Sequence, residues 1–266
     1  MPPSDRTEFE EIQTIVSVIP LNSFIERLKL VDACNDRLTP LLSSNLVSLE
    51  LAGTPLTNSD VNSLALLMKI TTKLETLVLE ECNVRNITCV AETLKGNISS
   101  LRTLDISGNL SCKHSNRRYH HHFDDFKNSD DSDLPHGSQV DKLAVMLSVN
   151  QTLQVLRLSE CGLTQDQTSI LFQVFTSNQN TALQTLNVSD NHYNTKHLEE
   201  LLSSNTSIQC VEITVTPVSE VSDTFLTTQL VHSILEYDED EPIHFIQDQV
   251  SSHILMKVKS LILYVE

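Results

Sequence analysis

The chain has 266 residues, of which 39% are hydrophobic but only 5% aromatic, so its core must be built from Leu, Ile and Val. That length allows one extended domain or two compact ones. The formal net charge of -17 argues against broad contact with DNA phosphates or an anionic membrane, and we expect neither direct nucleic-acid binding nor membrane association.

Residues 1–24 are predicted to form an N-terminal segment with one helix, over Glu8–Val18. The apolar run Ile15–Leu21 is short and is interrupted by Ser17 and Pro20, so it predicts neither a signal peptide nor a membrane span. The 6 cysteines are scattered without tight pairing, which favours reduced thiols. We therefore expect an intracellular protein, cytoplasmic or nuclear.

A repeated pattern, Leu-x-x-Leu-x-Leu-x-x-(Asn/Cys/Thr), runs through the middle of the chain. Successive copies start 28, 27, 52, 30 and 25 residues apart, and the 52 is one repeat of 28 plus an insertion of 24. The last two apolar residues of Leu-x-x-Leu-x-Leu alternate as one face of a strand requires. The ninth residue turns the chain, and Asn or Cys there can bond to the backbone of adjacent coils. The six copies start at Leu46, Leu74, Leu101, Leu153, Leu183 and Ile208, with degenerate copies at Ile25 and Val258.

A helical pattern follows each turn. The residues Asn58 or Ser59, and Ser138 in a later unit, stand where helix N-caps are expected. Strands that alternate with helices in this way indicate an α/β fold with a parallel sheet. The apolar positions that define two of the helices are Val61, Leu64, Leu67 and Met68, and Val140, Leu143 and Leu147.

Coils of this length, with Leu-x-x-Leu-x-Leu strands followed by true helices, resemble the ribonuclease-inhibitor-like class of leucine-rich repeats. The resemblance covers Ile25 to Thr216, which is 192 of the 266 residues. It implies a horseshoe-shaped solenoid with a parallel sheet on the concave side and helices on the convex side. The class includes enzyme inhibitors, innate-immune sensors, GTPase regulators and actin regulators, so the fold alone does not fix the function.

Three segments are also similar to the C-terminal repeats of Tonsoku-type proteins, which are replication-fork and chromatin adaptors. The segments are Arg37–Ser43, Leu49–Gly53 and Leu156–Gly162. The upstream tetratricopeptide and ankyrin repeats expected of that family are not in this sequence. The similarity implies an alternative function, that of a genome-maintenance adaptor.

The insertion, at about residues 112–137, contains histidines and five aspartates and cannot form a core, so disorder is predicted there. Imidazole and carboxylate groups are ligands for zinc and other transition metals. The spacing matches no structural zinc pattern, and we expect a solvated loop and no cofactor, with a metal-binding protein as an alternative. The candidate ligands are His114, His120, His121, His122 and His136.

Residues 217–266 are predicted to be a capping region, because an exposed solenoid end would leave an apolar layer in water. Helical patterns cover Thr224–Leu235 and Ile246–Met256, and Val258–Val265 is predicted to be a closing strand.

The outward positions of the predicted strands are rich in carboxylates, with Arg102 and Arg157 as the basic residues. Because neighbouring strands lie about 4.8 Å apart, these groups would form an acidic field on the concave face. The charges could equally serve only to keep an exposed sheet soluble. The sequence contains no H-E-x-x-H or G-x-S-x-G motif, so we predict a non-catalytic scaffold or adaptor. Because the field is acidic, we expect a basic protein partner, and we expect the chain itself to be a monomer. The predicted contact residues are Glu50, Glu75, Glu80, Glu81, Asp105, Arg157, Glu160, Asp190 and Glu212.

Overall fold

A computed structural model of the chain describes residues 17–19, 24–31, 41, 45–110, 136–177, 182–205, 207–215 and 260–265. Several predicted features lie outside the described residues. These are most of the N-terminal helix, the His-rich insertion up to residue 135 and the two C-terminal helices.

Among the described residues, eight strands form one parallel sheet in which each strand lies beside its neighbours in sequence. The register aligns the repeats, since Leu28 of the first strand is opposite Leu49, and Leu49 is opposite Leu77. The α/β class and the parallel sheet are confirmed, and the sequential order is compatible with a solenoid-like fold. The strands are β1 (Arg27–Val31), β2 (Ser48–Ala52), β3 (Thr76–Val78), β4 (Thr103–Asp105), β5 (Val155–Arg157), β6 (Thr185–Asn187), β7 (Cys210–Val215) and β8 (Ser260–Val265).

Both degenerate copies of the repeat form strands. β1 carries the first one, and β8 lies inside the predicted closing strand, with Leu261 opposite Val211 and Leu263 opposite Ile213. The alternation of apolar residues was therefore sufficient to predict the first and the last strand that the structure describes.

Five helices lie among the described residues, and consecutive helices pack against each other. A continuous layer of leucines fills the space between sheet and helices, and Phe172 and Phe175 add the largest buried side chains. A fully buried Leu contributes roughly 1.5–3 kcal/mol, so regular burial of aliphatic side chains replaces the missing aromatic core. The helices are α1 (Asn58–Ile70), α2 (Thr88–Lys95), α3 (His136–Val149), α4 (Gln165–Thr176) and α5 (Thr195–Ser204).

The predicted helix caps were wrong by one or more residues. The N-cap of α1 is Thr57, whose hydroxyl accepts a hydrogen bond from the Asp60 N–H while the Asp60 carboxylate accepts one from the Thr57 N–H. This reciprocal capping box satisfies two donors, which Asn58 or Ser59 alone would not do. α3 begins at His136, so Ser138 is its third residue, and the insertion ends before residue 137.

The ninth residues of four repeats form a polar ladder, which comprises Cys82, Asn109, Cys161 and Asn191. The Asn109 side-chain amide donates to the Leu79 carbonyl of the preceding repeat, and its oxygen accepts from the Val84 N–H at 2.8 Å. Asn191, two repeats further along the chain, makes both contacts again with Leu158 and Leu163 of the repeat before it. The Cys82 and Cys161 thiols donate to the carbonyls of Leu51 and Ile106. The predicted role of Asn and Cys at this position is confirmed.

Candidate interaction surface

The outward side of the sheet, with the turns that follow its strands, is called the acidic face below. On the strands, buried leucines alternate with side chains that point away from the core. One outward row crosses the sheet in register. It consists of Lys29, Glu50, Val78, Asp105, Arg157, Asn187 and Glu212.

Four of the predicted contact carboxylates have polar partners on or directly before a neighbouring strand. Lys29 Nζ lies 3.1 Å from Glu50 Oε2, and the Asn187 amide donates to Glu212 Oε2 at 2.6 Å. The two remaining pairs are longer, at 3.9 Å each: Arg102 with Glu75, and Arg157 with Asp105. Arg157 was predicted as a contact residue, and its guanidinium faces Asp105. These pairs neutralise part of the field that the sequence predicted.

The other four carboxylates are in the turns and not on the strands, which corrects their predicted placement. Glu80 and Glu81 follow β3, Glu160 follows β5 and Asp190 follows β6. β3, β5 and β6 have only three residues each, because the chain must turn before the ninth residue of the repeat can bond within the polar ladder. Glu75 also lies outside the strands, directly before β3. Its backbone carbonyl nevertheless accepts hydrogen bonds from the backbone N–H groups of Arg102 and Thr103 in the next repeat.

The eighth residue of five of the six repeats is in the left-handed backbone region. Gly53 (φ 61°) and Gly108 (φ 69°) are in this position, but so are Glu81 (φ 53°), Glu160 (φ 53°) and Asp190 (φ 56°). A left-handed conformation costs a residue with a Cβ roughly 1–2 kcal/mol, and Asp tolerates it better than Glu. Three carboxylates are therefore held at positions where glycine would be less strained.

Backbone hydrogen bonds fix these turns. The Glu81 N–H donates to the Ser107 carbonyl at 2.9 Å, and the Glu160 N–H donates to the Ser189 carbonyl at 3.1 Å. The Ser107 hydroxyl in turn accepts from the Ser159 N–H at 3.2 Å. The turn carboxylates thus project from a rigid backbone.

Glu81 and Glu160 flank the repeat of β4, whose eighth residue is Gly108. Since β4 separates their two repeats, the two backbones are two strand spacings apart, roughly 10 Å. Gly108 has no side chain to fill that interval. Glu80, Glu81, Asp105, Gly108 and Glu160 are called the carboxylate notch below. Among the described residues, no salt bridge joins Glu80, Glu81 or Glu160 to a basic side chain.

The pKa of Glu80 reflects the electrostatics of the carboxylate notch. Partial burial raises the pKa of its carboxyl, and repulsion by Asp105, Glu81 and Glu160 raises it further, while Lys29 acts in the opposite direction. Burial is the largest cause of the shift, and the repulsion between the carboxylates adds to it. A cation bound in the notch would reduce that repulsion.

The two ladder cysteines are unsuited to nucleophilic chemistry. Burial raises the pKa of Cys82 and of Cys161 to about 12, and both thiols donate to backbone carbonyls. A buried thiol that stays protonated at neutral pH is inert.

The predicted metal ligands His114 and His120–His122 lie outside the described residues, and His136 is the first residue of α3. Within the described part of the chain, no group of three or more His, Cys, Asp or Glu side chains could hold a metal ion.

Sequence reasoning missed Gly108, Ser107 and Ser159 as parts of this surface. A usable signal existed, because Gly53, Glu81, Gly108, Glu160 and Asp190 each stand seven residues after the first residue of their repeat.

A comparison of the sequence with protein-family models gave no match, and a comparison with curated proteins gave none either. Of the helices in the described residues, none combines the length and the apolar character needed to cross a membrane.

Proposed function

We propose that this chain is a leucine-rich-repeat horseshoe of the ribonuclease-inhibitor-like class and a non-catalytic scaffold or adaptor. Its acidic face would be the concave side of the horseshoe. The chain binds a basic segment of a partner protein on this face. The repeat period and the sequential parallel sheet support the class. The single observation that supports the binding mode is the carboxylate notch.

The notch suits a Lys or Arg side chain for two physical reasons. A bound cation relieves the repulsion among Glu80, Asp105 and Glu160, and a guanidinium can donate to two carboxylates at once. The rigid turns of Glu81 and Glu160 also reduce the entropy lost on binding. Because Asp105 already faces Arg157, the incoming cation contacts chiefly Glu80, Glu81 and Glu160.

The test is a charge reversal at the notch with a matched control elsewhere. The site variant carries Glu80→Lys, Glu81→Lys and Glu160→Lys. The control variant carries Asp141→Lys, Asp166→Lys and Glu200→Lys, all exposed on α3, α4 and α5. Both change the net charge by the same amount, so they separate a local site from the overall field.

The probe is a fluorescent, unstructured Lys/Arg-rich peptide, and its affinity is measured by anisotropy at physiological salt. We expect the site variant to lose more than about tenfold in affinity and the control less than about threefold, since exposed charges beyond about 8 Å are screened. Circular dichroism verifies that both variants fold. Equal losses in the two variants would show a nonspecific field and contradict the notch.

The two alternatives predicted from the sequence are a genome-maintenance adaptor and a metal-binding protein. No contact among the described residues favours either over an adaptor for a basic partner. Affinity capture with the wild-type chain and the site variant, followed by mass spectrometry, would identify partners that depend on the notch.

A further inference from the structure

Among the described residues, β1 forms one edge of the sheet, and no described strand pairs with its outer side. Successive residues of a parallel strand direct their N–H and C=O groups to opposite neighbours. The Glu26 carbonyl accepts from Val47 and Ser48, so Glu26, Leu28 and Leu30 face β2. The N–H and C=O groups of Arg27, Lys29 and Val31 therefore point outward.

No hydrogen bond reaches these outward groups in the part of the chain that the structure describes. The side chains at this edge are also incompletely covered. Leu28 and Leu30 are only partly buried, whereas Leu49 and Leu51 are 0% exposed. Val31 is 55% exposed. An edge with free backbone groups and uncovered aliphatic side chains is a template for another strand.

The charges of β1 select the kind of strand. Its outward side chains begin with Arg27 and Lys29, and Lys29 pairs across the sheet with Glu50 at 3.1 Å. Among the described residues, Arg27 has no carboxylate partner. A strand added on the open side would set a residue opposite Lys29 at the same spacing as Glu50. Cross-strand pairs of opposite charge are favourable, so that residue should be acidic.

We propose that the open edge of β1 binds an extended segment of a second protein as an additional parallel strand. The segment has an apolar-acidic-apolar core of the Leu-Glu-Leu type. Its leucines cover Leu28 and Leu30, and its carboxylate faces Lys29. This site is separate from the carboxylate notch and takes a partner of opposite charge. It stands whether or not the acidic face binds a basic segment.

The probe is a labelled peptide with the sequence of residues 46–54, because β2 (Leu49-Glu50-Leu51) is the strand that pairs with β1 in the sheet. Placed on the open side, the peptide would direct the N–H groups of its Leu49 and Leu51 toward β1. N-methylation of Leu49 in the peptide should therefore abolish binding, while N-methylation of Glu50 should change the affinity less than about threefold. This pair tests the strand geometry without any change to the protein.

Two variants of the full chain test the protein side. Lys29→Pro removes an outward N–H that β2 does not use, and Lys29→Ala keeps that N–H and removes the charge. We expect Lys29→Pro to abolish peptide binding and Lys29→Ala to weaken it three- to tenfold. A thermal unfolding curve verifies that Lys29→Pro folds.

Amide hydrogen exchange gives a second readout on the wild-type chain. Peptide binding should slow exchange at Lys29 and Val31, whereas Leu28 and Leu30, already bonded to β2, should change little. Absence of binding at about 1 mM peptide, equal effects of the two N-methyl groups, or protection elsewhere would overturn the proposal. Concentration-dependent self-association with the same alternating protection would also overturn it, because the occupant would then be a second copy.

Discussion

The side chain of Glu81 lies over the backbone of Gly108 in the next repeat: a Cβ atom placed on Gly108 would come within 2.7 Å of the Glu81 Cγ. Gly108 also has a φ of 69°. Gly108→Ala should therefore destabilise the protein by about 1–3 kcal/mol, through backbone strain and displacement of Glu81. Urea unfolding measures the change.

Gly96→Ala is the matched control. Gly96 follows α2 with a φ of -71°, and the nearest atom to its added Cβ would be 3.4 Å away. This substitution should leave the free energy of unfolding unchanged or raise it by up to about 1 kcal/mol. Equal destabilisation by both alanines would contradict the close contact between Glu81 and Gly108.

Asn109 should be among the most sensitive polar residues of the chain. It is buried, and it bonds to the Leu79, Ile106 and Ser107 carbonyls and to the Val84 N–H. Asn109→Ala leaves these groups unsatisfied and should cost about 2–4 kcal/mol. Asn62→Ala, on the exposed side of α1, should change stability by less than about 0.5 kcal/mol. Exchange of the Val84 amide should accelerate only in the Asn109 variant, and unchanged exchange there would count against the ladder.

The capping box of α1 predicts a contrast between adjacent residues. Thr57→Ala removes the hydroxyl that accepts from the Asp60 N–H and should lower the free energy of unfolding by about 1 kcal/mol. Asn58→Ala and Ser59→Ala, at the positions that the sequence suggested, should change it by less than about 0.5 kcal/mol. Chemical denaturation of the three variants measures these changes. A larger decrease in the free energy of unfolding for Asn58→Ala than for Thr57→Ala would support Asn58 as the N-cap of α1.

Glu80 makes binding to a basic peptide depend on pH. Its pKa is raised in the folded protein by burial and by Asp105, Glu81 and Glu160. The folded state thus holds this proton more tightly than the unfolded state does, so acidification through the raised pKa favours folding at this site. Acidification has the opposite effect on binding of a basic peptide, because a cation binds more strongly to the ionised carboxylate. Affinity should fall as the pH decreases from 7 toward the raised pKa.

Carbon-13 NMR of the side-chain carboxyl measures the titration of Glu80 directly. Glu160→Gln removes one source of repulsion and should move the Glu80 pKa toward its ordinary value. Lys29→Ala removes the compensating cation and should move it upward. Shifts in the reverse directions would contradict the arrangement of charges in the notch.

The repeats could be predicted from the sequence because each leucine of the pattern is buried by its own strand register. The period alone placed Leu28, Leu49 and Leu77 opposite one another. The ends of the strands could not be predicted, because the apolar residue Leu79 continues the alternation into the turn that contains Glu80 and Glu81. The alternation of apolar and polar residues indicates which side of the chain is buried. It carries no information about the φ angle of the eighth residue, where the chain turns.

The carboxylate notch was only partly predictable, for a different reason. Its acids were recognised as a charged set, but the pairing of Asp105 with Arg157 depends on a neighbouring strand that an insertion separates in sequence. The contact of Glu81 with Gly108 similarly joins two repeats. Contacts between repeats follow from the register of the sheet, which a single repeat does not specify.

The polar ladder also implies an order of unfolding. The junctions at Asn109 and Asn191 each use an amide that both donates and accepts, whereas those at Cys82 and Cys161 use a thiol, which is a weak donor. In a linear array, stability is the sum of the units and of the junctions between neighbours. Strong and weak junctions alternate along this array, so its repeats should separate in pairs, with the first breaks at the two cysteines.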